Sequence, residues 1–142
     1  MNTVKEKIIP AHIDYYSDTA EYLEELLESA GCPPKTMIEI TIAFEEIFVN
    51  IASYAYPNEN ADKKGMVKMI FTISDDEKSC AIKFIDQGIP YDPLAKPDPD
   101  VTLSIEEREV GGLGIYMVKQ SMDSVAYEYK DGSNVFTIYK KF

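Results

Sequence analysis

The sequence predicts one α+β domain, a two-layer sandwich with helices on one face of a mainly antiparallel, mixed sheet. Three observations predict it. The chain has 142 residues, 45% of them hydrophobic, enough for one core. Apolar residues recur at helical spacing in three stretches and form strand-like runs in five. Most of those runs are neighbours in sequence, joined by short turns, so they pair as hairpins and leave the helices to gather on one face.

The elements follow in order. Val4 to Ala11 reads as a first strand. A helix is expected from about Asp18 to Ala30, because Asp18 and Glu21 have capping-box spacing and Gly31 suits the position just past a helix end. Pro33 and Pro34 separate it from a second helix, about Pro34 to Tyr54, since proline is tolerated in a first turn. The polar stretch Asn58 to Gly65 is a loop. Met66 to Ser74 and Ser79 to Asp86 read as strands joined by Asp75-Asp76-Glu77-Lys78. Gln87 to Val110 holds Pro90, Pro93, Pro97 and Pro99 among charges, a long loop of the kind that serves as a lid. A third helix runs from near Gly112 to near Asp123. Ser124 to Lys130 and Ser133 to Lys141 form a closing hairpin on Asp131-Gly132, a favoured two-residue turn.

Composition removes several classes. The formal charge is -11, from 25 acids against 14 bases, which argues against direct contact with a nucleic-acid backbone. No apolar run is long enough to span a bilayer, and no apolar segment follows the N-terminal charges, so a cytoplasmic protein is expected, with no membrane contact. Cys32 and Cys80 form no disulfide framework. His12 is the only histidine, and no zinc spacing occurs.

Three short segments carry chemistry. In the second helix, Glu39, Ala43, Glu46 and Asn50 fall on one stripe at about 100° per residue, opposite Met37, Phe44, Phe48, Ile51 and Ala55. Glu46 and Asn50 are therefore one turn apart, side by side. Mg²⁺ takes few protein oxygens and fills its other positions with phosphate and water, so the Asn50 amide oxygen is a candidate ligand. Glu46 is a candidate base for a hydroxyl or water attacking a terminal phosphate. Read alone, the pair also suits a solvated polar face. Asp86 ends a strand; its ionised carboxylate only accepts hydrogen bonds, which suits the exocyclic amine of adenine. Gly88 lets backbone approach a flat base, although Asp-x-Gly after a strand is also a common turn. Gly111-Gly112-Leu113-Gly114 opens the third helix, where converging N–H groups and the helix N-terminus suit phosphates. Arg108, just before these glycines, is placed either to meet a terminal phosphate or to stay solvated. The glycines match neither a Walker A loop nor the dinucleotide fingerprint.

In this order the three segments resemble the GHKL (Bergerat-fold) ATPases, and in particular the bacterial anti-sigma-factor serine/threonine kinases. The resemblance covers nearly the whole chain. It rests on Glu46-Ile-Phe-Val-Asn50-Ile-Ala-Ser-Tyr-Ala-Tyr56-Pro57, on Asp86-Gln-Gly-Ile-Pro90-Tyr-Asp92-Pro93, and on Gly111-Gly-Leu-Gly-Ile-Tyr-Met-Val-Lys-Gln-Ser-Met-Asp123. It implies a Bergerat-type sandwich over residues 1–142 that binds ATP and Mg²⁺. It implies phosphorylation of a serine on an anti-anti-sigma factor, capture of a sigma factor, and a homodimer. By the same likeness Glu46 is the catalytic base and Asn50 the Mg²⁺ ligand. Asp86 is the adenine acceptor, Gly112 and Gly114 are the phosphate hinge, and Gly88, Gly111 and Leu113 complete the expected cofactor-binding set. Tyr54 stands where many relatives carry histidine, Pro90 replaces a glycine, and Ser133-Asn134-Val135 stands where relatives often carry Gly-Thr. The alternatives are an ATP-sensing binding module without transfer and an α+β domain without nucleotide.

Overall fold

A computed structural model of the chain describes residues 2–57, 65–95 and 113–142. Strand β1 (Asn2–Pro10) leads through a 3-10 turn (Ile13–Tyr15) into helices α1 (Tyr16–Ser29) and α2 (Pro34–Tyr54). Strands β2 (Met66–Ser74) and β3 (Ser79–Asp86), a 3-10 turn (Pro93–Ala95), helix α3 (Leu113–Ser121) and strands β4 (Ser124–Lys130) and β5 (Ser133–Lys141) follow. The strands form one sheet in the order β1-β2-β3-β5-β4. All four pairings are antiparallel, so the described sheet contains no parallel pair.

The core lies between this sheet and the helices. Val67, Met69, Phe71 and Ile73 of β2, Ile82 and Phe84 of β3, and Phe136 and Ile138 of β5 are buried at alternate positions, the period-two signature of a sheet covered on one face. From the helices come Leu23 and Leu27 of α1, Ile40, Ala43, Phe44, Ile47 and Phe48 of α2, and Val118 of α3. Phe44 is fully buried at the centre. Its ring lies 5.6 Å from Phe84, 6.0 Å from Phe48, 6.0 Å from Tyr16 and 6.1 Å from Phe71. Each aromatic pair adds about 0.5–1.5 kcal/mol beyond the burial itself.

The element boundaries show local chemistry at work. Helix α1 starts two residues before the expected capping box, so Asp18 lies within the first turn and caps nothing. The preceding 3-10 turn sets that start: His12 Nδ1 accepts from the Asp14 N–H at 3.1 Å, and the chain runs on into the helix. At the far end the Gly31 N–H donates to Glu28 O and the Cys32 N–H to Leu27 O, both at 3.0 Å. Gly31 has φ of 80°, which completes a Schellman cap. Pro34 occupies the first turn of α2 as expected. Asp131 and Gly132 both have positive φ, the requirement of a type I′ hairpin turn. Cys32 and Cys80 are both buried free thiols. Burial, with Cys32 nearby, pushes Cys80 up to about 12, so it stays a neutral core residue.

The α2 stripe that carries Glu46 and Asn50 is not the solvated face that it also suits when read alone. Ala43 is fully buried, and Glu46 and Asn50 are half-buried, because α3 packs along that side of α2. At the exit of α2, the Tyr56 hydroxyl donates to Met66 O at 2.7 Å and accepts from the Gln87 N–H at 2.9 Å. One side chain thus ties the helix exit to the start of β2 and the end of β3. The expected lid is described only as far as Ala95; Gly111, Gly112 and Arg108 lie outside the described residues.

Two truncations on α2 test the placement of the core. Phe44→Ala is expected to cost about 3–5 kcal/mol in denaturant unfolding, the usual range for removing a buried aromatic. Ile42→Ala, at an exposed position of the same helix, is expected to change stability by less than about 0.5 kcal/mol.

Candidate functional site

The carboxyl end of β3 lies beside the carboxyl half of α2, and an open cleft lies between them. Ile47, Asn50, Ile51, Tyr54 and Ala55 line it from α2, Asp86 and Phe136 from the sheet floor, and Ile89, Tyr91 and Pro93 from the loop after β3. Tyr127 and Asn134 close it from the last hairpin. Its walls are mainly apolar with a few converging polar groups, the make-up of a small-molecule site. The Tyr54 and Tyr91 rings sit 6.0 Å apart at its mouth.

Asp86 is 4% exposed. Its Oδ1 accepts from the Gly88 N–H and from Asn134 Nδ2, each at 2.9 Å. Burial pushes its carboxyl above the ordinary aspartate range, and the hydrogen bonds from Asn134 and Gly88 pull it back part of the way. Asn134 is held from all sides. Its Nδ2 also donates to Ile89 O at 2.9 Å, and its Oδ1 accepts from the Tyr91 N–H at 3.1 Å and from the Tyr127 hydroxyl. The β3–β5 register creates this arrangement, because it sets Asp86 directly opposite Asn134. The sequence reading noted the unusual Ser-Asn-Val but gave Asn134, Tyr127 and Tyr91 no role. No local signal marks them, since the pairing joins positions 48 residues apart.

Two glycines are explained by what a side chain would meet. A Cβ on Gly88 would overlap the Ala55 carbonyl, where the neighbouring Ile89 N–H donates at 2.9 Å. The loop after β3 is thereby clamped to the end of α2. A Cβ on Gly114 would overlap the Glu46 carboxylate. Glu46 therefore sits on the first turn of α3, where a helix N-terminus favours an anion. Of the expected site residues, Asn50 and Asp86 line the cleft, Gly88 packs behind it on Ala55, and Glu46 lies outside its lining, one helical turn from Asn50 and against Gly114. Leu113 begins α3, one residue before Gly114.

The two contacts differ in what must give way. Gly88→Ala pushes on backbone and is expected to lower stability by about 1–3 kcal/mol. Gly114→Ala pushes on the end of a flexible side chain and is expected to cost less than about 1 kcal/mol while displacing Glu46. Urea unfolding of both variants decides the order; a larger loss at Gly114 would mean that Glu46 is rigidly held.

Comparison with known proteins agrees with this architecture. The profile of the histidine kinase-like ATPase domain matches residues 9–140. The serine-protein kinase RsbW of Listeria monocytogenes is 25% identical over 142 residues, covering 95% of this chain and 87% of the relative. RsbW of Bacillus velezensis is 27% identical over 136 residues, covering 92% and 81%. The serine/threonine-protein kinase BtrW of Bordetella bronchiseptica is 23% identical over 123 residues, covering 86% and 82%. A crystal structure of the RsbU and RsbW domains of a Mycobacterium tuberculosis protein superposes with a TM-score of 0.66 at 14% identity. It covers 98% of this chain, which spans about a third (32%) of that longer protein, and it supports the fold. With the profile matched over nearly its whole length, the chain belongs to the histidine kinase-like ATPase domain family, and within it resembles the RsbW-type serine-protein kinases.

Proposed function

We propose that this chain is an ATP-dependent protein-serine/threonine kinase that phosphorylates an anti-anti-sigma factor and holds a sigma factor, acting as a homodimer. One observation carries the reading: α2 presents Glu46 and Asn50 side by side, with Asn50 in the cleft that holds Asp86 and Glu46 against the start of α3. The names of the relatives support the kinase class, and the partners are taken over from them by likeness.

The donor set suits magnesium rather than zinc. Among the described residues no cluster of three or more His, Cys, Asp or Glu could form a closed protein cage. Asn50 would supply one oxygen, and phosphates and waters would complete the octahedron. When bound, Mg²⁺ neutralises charge on the phosphates. Asp86 accepts the adenine amine, and Gly88 keeps the loop close to the base. Gly114 leaves room for the Glu46 carboxylate, which takes the proton of the attacking serine hydroxyl. The serine oxygen bonds to the terminal phosphorus, the bond from that phosphorus to the bridging oxygen breaks, and ADP departs. No helix among the described residues is long and apolar enough to cross a membrane. The proposed place of action is the cytoplasm, where the nucleotide and these partners occur together.

Three measurements test the proposal. Glu46→Ala is expected to keep Mg-ATP binding and to lose about 10²–10⁴-fold in transfer of labelled phosphate to the partner serine. Asn50→Ala is expected to weaken Mg-ATP binding, read as a smaller thermal shift than the wild-type gain of about 2.7 kcal/mol at a hundredfold excess over Kd. Tight binding of nucleotide and partner with no labelled serine would identify a binding module instead. A pH series reads Asp86. Its raised folded-state value means that acid protonates it earlier than an ordinary aspartate, and the acceptor is lost. ATP affinity is therefore expected to fall as pH is lowered. The stability contribution of Asp86 runs the other way, declining as pH rises from the unfolded value through the folded one.

A further inference from the structure

We infer that Asn134 sets base selectivity by making Asp86 a one-oxygen acceptor, so that the cleft takes a purine with a single amine donor and rejects the paired donors of guanine. This rests on the nucleotide reading above. A carboxylate oxygen has two in-plane acceptor positions. On Oδ1 of Asp86 both are taken, by the Gly88 N–H and by Asn134 Nδ2, each at 2.9 Å. Only Oδ2 remains to meet a ligand.

Asn134 cannot turn away to release Oδ1. Its amide orientation is fixed by groups that have no choice of role, since the Tyr91 N–H can only donate and the Ile89 carbonyl can only accept. The Tyr127 hydroxyl adds a third restraint, and the side chain is 6% exposed. Guanine offers N1–H and the N2 amine side by side, a match for both oxygens of a free carboxylate. Adenine offers one amine beside an acceptor nitrogen, so one oxygen suffices. The Asn134 clamp therefore removes the advantage that an unshared aspartate would give to guanine.

Calorimetry with the magnesium complexes of ADP, GDP and IDP tests this on the full chain. Inosine has N1–H but lacks the N2 amine, so it isolates the second donor. Wild-type protein is expected to bind ADP at least about tenfold more tightly than GDP, with GDP no more than about twofold tighter than IDP. In Asn134→Val the freed Oδ1 is expected to let GDP exceed IDP by about tenfold. Asn134→Thr keeps a hydroxyl donor and is expected to retain the wild-type ratios. Should Asn134→Val not fold, the wild-type GDP-to-IDP ratio decides alone: a tenfold preference for GDP means that both oxygens are open and overturns the role of Asn134. An unchanged ratio in folded Asn134→Val overturns it too. In both cases ADP binding leaves the nucleotide reading intact, whereas failure to bind ADP at all removes that reading and this inference with it.

Discussion

The rotation of α2 about its own axis governs this molecule, and the burial of Phe44 and Phe48 fixes it. Both rings are fully buried, packed on each other and, through Phe44, on Phe71 and Phe84 of the sheet. A helix that must bury these residues has no freedom to choose where its other side chains point. Glu46 and Asn50 are consequently directed toward α3 and the cleft rather than into bulk water. Rotating the helix by one position to relieve the site would expose an aromatic core, a cost of several kcal/mol against a typical total stability of about 5–15 kcal/mol. The α2 side of the site is thus held by the hydrophobic core.

A second constraint acts at the cleft floor. Asp86 is buried, which disfavours its charged form, yet the proposed role needs that charge. The conflict is eased in part by donors placed on one oxygen only. Asn134 is well suited to this, because an amide both donates and accepts. It restrains Asp86 and the loop after β3 at once, through Ile89 and Tyr91. No buried side-chain nitrogen or oxygen among the described residues lacks a partner, as a low-dielectric polar cluster requires. The glycines play the complementary part. Gly88 allows a backbone contact with Ala55, and Gly114 allows a side-chain contact with Glu46, so each matters for the atom it omits.

Much of the fold was legible because its signals are local. Strands β2, β3, β4 and β5 begin and end where alternation and turn residues place them. Pro34 and Gly31 mark helix boundaries through steric rules that hold in any context. The misreading came where a neighbour changed the local choice: the Asp18 capping box was displaced by a 3-10 turn capped from His12. Of the site, the spacing of Glu46 and Asn50 could be read from helical geometry, and Asp86 from its place at a strand end. That they share one site came only with the family resemblance, and the structure puts Asn50 and Asp86 in one cleft.

The sequence by itself determined the α+β class, the order of the elements, and which helix and strand end carry the acids and the amide. These depend on period, capping and turn chemistry, which act over a few residues. Only the tertiary structure decided that Asn134 stands opposite Asp86, that Tyr127 and Tyr91 hold it there, and that Gly114 lies under Glu46. Strand register and helix packing arise from the burial of the whole apolar face at once. Residues far apart in the chain become partners through that collective packing, and no stretch of sequence records it alone.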